Sequence, residues 1–313
     1  MPNLNVAVLG SPGYSRELGK KGTESDVTLY NAKRGDATLT LIEASKYPEK
    51  LASLFYAASF ADYAILVVDQ INPAFGETIV MLDCLGVGSG IIVPRNYITA
   101  DQLKRFTRAT VTEKYTVMED DLPRLREHMM AEAERTPAGL PSETGTVVVD
   151  HFFNVRGVGA VALGVVRAGQ IHHHDKLIAS PTSKTAQIRS IQKNDEDHET
   201  AELGDRVGLA LKNIEASDLE RGLMLTSDPA VTQTSAIAGE LRQVKYWANP
   251  VTSGMAVHVG NGLQFNSAKV TEARNGHISM ALDRPLAYAP GDRATVMYLN
   301  GGNLRVVGTI PLP

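Results

Sequence analysis

The sequence predicts an α/β domain built on a parallel sheet, followed by two antiparallel β-barrels. Three observations carry that prediction. Over residues 1–137, short apolar runs alternate with helix-length amphipathic patterns, the rhythm of βαβ units. Between Val155 and Leu225, β-branched runs are broken by glycine at short intervals, with no helical pattern among them. Beyond Asp228-Pro229, further short runs are separated by Asn261-Gly, Asn275-Gly and Asn300-Gly-Gly, and Asn-Gly between apolar runs signals a hairpin.

In order along the chain, Val6–Gly10, Thr38–Glu43, Ala64–Asp69 and Ile91–Pro94 are apolar enough to be strands buried on both faces. Helices are expected at Glu49–Phe60, Ala74–Leu85, Ala100–Arg108 and Leu122–Arg135. In the last, Leu122, Leu125 and Met129 share one face, with Asp120 or Asp121 as cap ahead of Pro123. A segment with two prolines and two glycines within 136–145 reads as a linker. The boundaries are therefore 1–137, a linker 138–145, a barrel 146–228 and a second barrel 229–313. In the first barrel, Gly157 and Gly159 flank Val158 in a tight turn before the apolar run Ala160–Val166. Strands follow at Lys176–Ala179, Ala186–Ile191, Val207–Leu211 and Leu223–Thr226. In the second, the candidates are Gly239–Tyr246, Met255–Val259, Ala268–Glu272, His277–Leu282, Ala294–Leu299 and Leu304–Ile310.

Composition excludes several functions. The 31 basic residues against 35 acidic ones give a net charge of −4, so nucleic-acid contact requires a local patch. Cys84 is the single cysteine, which rules out intrachain disulfides and thiolate clusters and fits a reducing compartment. The N-terminus lacks the pattern of a signal peptide and no apolar run is long enough to span a bilayer, so a cytoplasmic location without a membrane partner is expected.

Five landmarks of the central barrel fall in a fixed order: Gly157-Val-Gly159-Ala-Val, Gly169, Gly204-Asp205-Arg-Val, Leu211-Lys-Asn-Ile214 and Glu220-Arg-Gly222. Together they resemble domain 2 of the EF-Tu superfamily of translation GTPases, whose pattern there includes Gly-x-Gly-Thr-Val, Gly-Asp-x-Val and Glu-Arg-Gly. The run Leu18–Asn31 and Ile188-Arg-Ser-Ile-Gln192 are similar to the SelB-like elongation factors of methanogenic archaea sometimes called EF-Pyl. The resemblance covers most of the chain. It implies a P-loop GTPase-like first domain, then barrels like domains 2 and 3 of EF-Tu.

A working member of that superfamily opens its first strand into Gly-x4-Gly-Lys-Ser/Thr, which cradles phosphates and binds Mg²⁺. Here Gly10 leads to Ser15-Arg-Glu17, and Gly13 is followed by Gly19-Lys20-Lys21 at the wrong spacing, with no hydroxyl after the lysine. Pro12, Gly13 and Gly19 leave little room for a helical turn. Glu43-Ala-Ser-Lys46 stands where the family has Asp-x-x-Gly, and Pro94-Arg-Asn-Tyr-Ile-Thr99 where it has Asn/Thr-Lys-x-Asp. Gly10, Gly13, Gly19 and Lys20 are thus read as a vestigial loop. The expectation is a folded G-domain remnant with no catalytic residues and no cofactor, GTP and Mg²⁺ entering only if the Ser11–Lys21 loop is rebuilt.

The resemblance also implies a domain 2 that holds the aminoacylated 3′ end of a tRNA. Arg156, Arg189, Arg206 and Lys212 are the candidate phosphate contacts, and Glu199 a candidate for a 2′-hydroxyl or base edge. Most surface charges are only solvated, so the plainer reading of each is a barrel-rim charge. Residues 144–313 hold 16 basic and 16 acidic residues, so affinity for bare tRNA should be modest. His172-His-His-Asp175 is not expected to bind metal, because neighbours on an extended strand point to opposite faces. His151 and His198 have no partner visible in sequence. Cys84 reads as a small core residue and Trp247 as a barrel-edge residue rather than a stacking platform. The partner expected is aminoacyl-tRNA or another translation component, including the ribosome, and not DNA. A protein-interaction scaffold unrelated to tRNA is the remaining alternative. The sequence defines no oligomeric state.

Overall fold

The computed structural model describes residues 2–136 and 142–313; the expected linker up to residue 141 lies outside the described residues. In the first domain, β1 (Asn3–Leu9), β2 (Lys20–Glu24), β3 (Thr28–Arg34), β4 (Ala37–Glu43), β5 (Tyr63–Val68), β6 (Gly90–Pro94) and β7 (Thr116–Val117) form one sheet. Its order is β2-β3-β4-β1-β5-β6-β7. From β4 across to β7 all neighbours are parallel, whereas β2, β3 and β4 pair antiparallel. Four helices cover it: α1 (Leu51–Phe60), α2 (Pro73–Leu85), α3 (Ala100–Thr107) and α4 (Leu122–Arg135).

Strand periodicity sorts the core into two layers. Val6, Val8, Leu41 and Ile65 face Leu125, Met129 and Ala133 of α4. Ala7, Leu9, Ile42 and Leu66 face α1 and α2. Helix α4 starts at Leu122 because Asp121, not Asp120, accepts the Arg124 amide (3.2 Å). Thr99 and Gln102 form a capping box on α3, and Asn72 caps α2 ahead of Pro73. The β2–β3 hairpin is the main departure from the expected βαβ rhythm. Lys20–Glu24 is polar and mostly exposed, so it carries no apolar signal; it forms because β3 pairs with β4 along its whole length and leaves an edge open.

The second domain contains β8 (Gly145–Val155), β9 (Gly159–His172), β10 (Lys176–Ser180), β11 (Lys184–Lys193), β12 (Glu196–His198), β13 (Thr200–Glu202), β14 (Arg206–Lys212) and β15 (Met224–Thr226). Six of them close into a barrel, β10-β15-β8-β9-β14-β11, sealed by the β10–β11 pairing. Gly169 lies at φ +60°, and a Cβ there would sit 1.9 Å from the Thr144 carbonyl oxygen. Only glycine allows that close approach of two strands.

The third domain contains β16 (Thr232–Glu240), β17 (Arg242–Gln243), β18 (Ala256–Asn261), β19 (Gln264–Arg274), β20 (His277–Tyr288), β21 (Arg293–Met297) and β22 (Val306–Pro311). They run in the order β16-β20-β19-β18-β21-β22-β17, a curled sheet that stops at a half-barrel. The strand expected at Gly239–Tyr246 is in fact split. β16 begins earlier, in the polar and largely exposed Thr232-Gln-Thr-Ser, and only two residues of the expected run pair as β17.

The three domains share a core. Val148, Val165 and Met224 of the second domain and Leu263, Met297 and Val306 of the third join the apolar cluster built on α1 and α2. Phe55 of α1 is fully buried at this junction, where a Cβ on Gly260 would come within 2.3 Å of its ring. A charged clamp lies beside it. Glu77 on α2 is 2% exposed and accepts from the Arg305 amide (2.6 Å), Arg305 Nη2 (2.6 Å) and the Tyr47 hydroxyl (3.0 Å).

Candidate functional site

The C-terminal ends of parallel strands, where the order reverses around β1, are where α/β sheets bind ligands. In this chain that mouth is filled from within. After β1, Gly10 turns the chain at φ +94°, and Gly13 at φ +86° opens a single 3-10 turn, Tyr14–Glu17. The amides of Gly13 and Ser15 donate to Glu43 Oε1 (2.7 Å) and Oε2 (3.2 Å). Amides converging from such a turn form an anion-binding nest, and the carboxylate occupying it belongs to the buried last residue of β4. Gly19 closes the loop, its amide donating to the Ser15 carbonyl (3.0 Å), and Lys20 is the first residue of the hairpin. Lys20 is exposed and in register with Asn31, and Lys21 carries an exposed ion pair with Glu24 (2.6 Å).

The other half of the mouth is an ionic network. Arg95, just past β6, pairs with Asp69 (3.1 Å) and Asp120 (3.1 Å) and reaches Ser11 Oγ (3.4 Å). Tyr14 donates to Asp120 (2.6 Å); burial, then that carboxylate, holds its phenol above the ordinary range. Asn96 spends its side-chain amide on the Asp69 carbonyl (3.0 Å). The space left between Glu43, Asp69, Asn72 and Thr78 is a cavity of about 260 Å³, below the range of ordinary small-molecule pockets.

A second cluster ties the first domain to the barrel. Asp150 on β8 is 3% exposed and takes a bidentate contact from Arg206, with Nη2 at 3.2 Å from Oδ1, and a bond from His151 Nδ1 (2.8 Å). Burial alone would raise the Asp150 carboxyl; the Arg206 charge and the bonds from His151 and Arg206 outweigh it and hold the group below its usual range. His151 Nε2 contacts Ser25 Oγ (3.0 Å), which also accepts from Arg221 Nη2 (2.7 Å), while Arg221 lies over the Tyr56 ring (4.9 Å).

The five barrel candidates separate accordingly. Arg206 is turned inward by Asp150 and packs over the Phe60 ring (5.6 Å), so it is not a free cation. Arg156 is exposed in the turn after β8, and Lys212 is exposed at the end of β14; neither has an ion pair among the described residues. Arg189 is exposed and donates to the Val158 carbonyl (3.2 Å) of that same turn. Glu199 is exposed, 3.4 Å from His173 Nδ1. His173 in turn donates from Nε2 to the Arg189 carbonyl (2.6 Å). Sequence reasoning passed over Phe152 and Phe153, both solvent-exposed on β8 before the turn; two adjacent aromatics on one strand was the available signal, since both cannot face the core.

The other residues singled out find definite places. His173 and His174 leave the strand in a turn and stack ring on ring (3.8 Å), in place of pointing to opposite faces. Trp247 is a core residue of the third domain, edge-on to Tyr298, and not a barrel-edge residue. Cys84 is half-buried, and burial pushes its thiol up to about 12. Among the described residues no three His, Cys, Asp or Glu side chains are placed to hold a metal ion, and no helix is long and apolar enough to cross a membrane.

Residues 159–226 match the family model of elongation factor Tu domain 2. An uncharacterized protein of Methanocaldococcus jannaschii is 35% identical over 310 residues, 98% of this chain and 99% of that one. The selenocysteine-specific elongation factor of the same organism is 24% identical over 79% of this chain, which spans only 57% of that factor's length. Among solved structures, translation elongation factor SelB from Methanococcus maripaludis, in complex with the GTP analogue GppNHp, superposes with a TM-score of 0.81 at 20% identity. That match covers 100% of this chain and 79% of that one.

Proposed function

Because the chain belongs to a SelB-like family within the EF-Tu superfamily of translation GTPases, we propose that it binds a translation component, foremost aminoacyl-tRNA, without a GTP-driven switch. The observation that carries this reading is the Glu43 carboxylate seated on the Gly13 and Ser15 amides. The residues present do not fit a nucleoside triphosphate with Mg²⁺ at the mouth. The anion nest holds a side chain, the hairpin carries Lys20 away from it, and Arg95 with Asp69 and Asp120 fills the neighbouring space. On this reading Arg156, Arg189 and Lys212 contact phosphates, Glu199 accepts from a 2′-hydroxyl or base edge, and Phe152 and Phe153 offer stacking faces.

The test is binding of aminoacylated and uncharged tRNA across a salt series, with no nucleotide, with GDP and with GTP. Preference for the charged form is expected, at an affinity that does not distinguish GDP from GTP. Equal, steeply salt-dependent binding of both tRNA forms would reduce the contact to unspecific phosphate attraction. A tenfold difference between GDP and GTP would overturn the switchless reading. The seat of Glu43 has its own check: Glu43→Ala leaves two amides of the turn without their acceptor and should cost about 2 kcal/mol in urea unfolding. A loss below about 0.5 kcal/mol, the level of an ordinary surface substitution, would mean that water replaces the carboxylate freely.

A further inference from the structure

A second opening lies far from the mouth. Helices of βαβ units run antiparallel to their strands, so the C-terminal ends of α2 and α3 mark the opposite end of the sheet. There the three domains enclose a cleft of about 890 Å³. Val80 and Cys84 of α2, with Val148 and Met224 of the barrel, supply an apolar floor. Arg108, Arg242, Lys245 and Arg293 stand around it. None of these four makes an ion pair or a side-chain hydrogen bond among the described residues. The acids that share the lining have hydrogen-bond donors of their own: Asp83 accepts the Val111 amide (2.8 Å), Asp228 the Ala230 amide (2.9 Å), and Asp292 both the Ala289 amide (2.9 Å) and the Asn261 side-chain amide (3.1 Å). Arg167, a fifth cation of the lining, is already held by Asp62 (3.1 Å).

We infer that this cleft binds a phosphorylated small molecule of about nucleotide size. In a chain with more acids than bases, four unpaired cations converge on one concavity from two domains, so that five cations stand against three acids in its lining, and such a local excess of positive charge in a low-dielectric cleft concentrates anions. The volume lies within the range of small-molecule pockets, and the apolar floor suits the unphosphorylated part of such a ligand. Enclosure by three domains favours a compact molecule over a strand of RNA. The site is separate from the mouth and independent of the tRNA reading.

Calorimetric titration with ADP and with pyrophosphate as probes tests it on the full chain. ADP should bind saturably at submillimolar concentration, pyrophosphate should compete, and R242Q/R293Q should weaken ADP at least tenfold. Because neither arginine is paired, that variant should keep the wild-type melting temperature, so a lost affinity reports on the site. Lys245→Gln, read alongside, should weaken ADP severalfold. The inference is overturned by absence of saturable ADP binding at millimolar concentration, or by ADP affinity indifferent to all three cations. It is also overturned if a single-stranded RNA oligonucleotide displaces ADP at lower concentration than pyrophosphate does, which would make the cleft a polynucleotide site.

Discussion

Arg305→Ala is expected to lower the unfolding free energy by about 3–5 kcal/mol, the cost of removing one partner from a buried ion pair. Glu77 would be left at 2% exposure with only the Arg305 amide and the Tyr47 hydroxyl to hold its charge. The loss should appear in urea unfolding. The double replacement Glu77→Leu with Arg305→Met should recover much of it, because two apolar side chains leave no stranded charge. A single-variant loss under about 1 kcal/mol, the scale of a solvated pair, would show that water reaches this seam and that the third domain is held mainly by the Phe55 contact.

Asp150→Ala should cost a similar amount, about 3–5 kcal/mol, since it strands the half-buried Arg206 guanidinium and frees His151. Its pH dependence has a definite sign. The folded carboxyl is held below the ordinary value of about 3.9. A group depressed in this way stabilises the fold fully above the unfolded value, and the contribution disappears as pH falls through the folded one. The difference between wild type and Asp150→Asn should therefore be level above about pH 5 and shrink below about pH 4. A difference that grows on acidification would mean that the carboxyl is raised in the folded state and that burial outweighs Arg206.

What was legible in the sequence was mostly backbone. Gly157, Gly159, Gly169, Gly204 and Gly222 all adopt positive φ, and turn glycines at fixed offsets specify a barrel's geometry without reference to distant residues. Helix α4 could be placed, with its cap narrowed to Asp120 or Asp121, because its cap, its proline and its apolar face are all local. The β2–β3 hairpin was not legible, since Lys-Lys-Gly-Thr-Glu owes its strand conformation to an edge offered by β3. Site chemistry was hardest to see. Arg206 has the composition of a rim cation, and only the fold brings it to Asp150. Likewise Glu43 was visible as a replaced motif, but its seating on the Gly13 and Ser15 amides depends on how β1 and β4 pair.

The common core of α1 with the last strands also bears on how the chain is made. Phe55 and its neighbours emerge from the ribosome early, yet Met297 and Val306, which complete their packing, are synthesised near the end. Throughout that interval the nascent first domain carries an uncovered apolar face, the condition under which chains aggregate or recruit chaperones. Nascent chains arrested before β18 should thus exchange the amide protons of α1 rapidly. Slow exchange at that stage would mean that the first domain completes itself alone and that the later strands only dock.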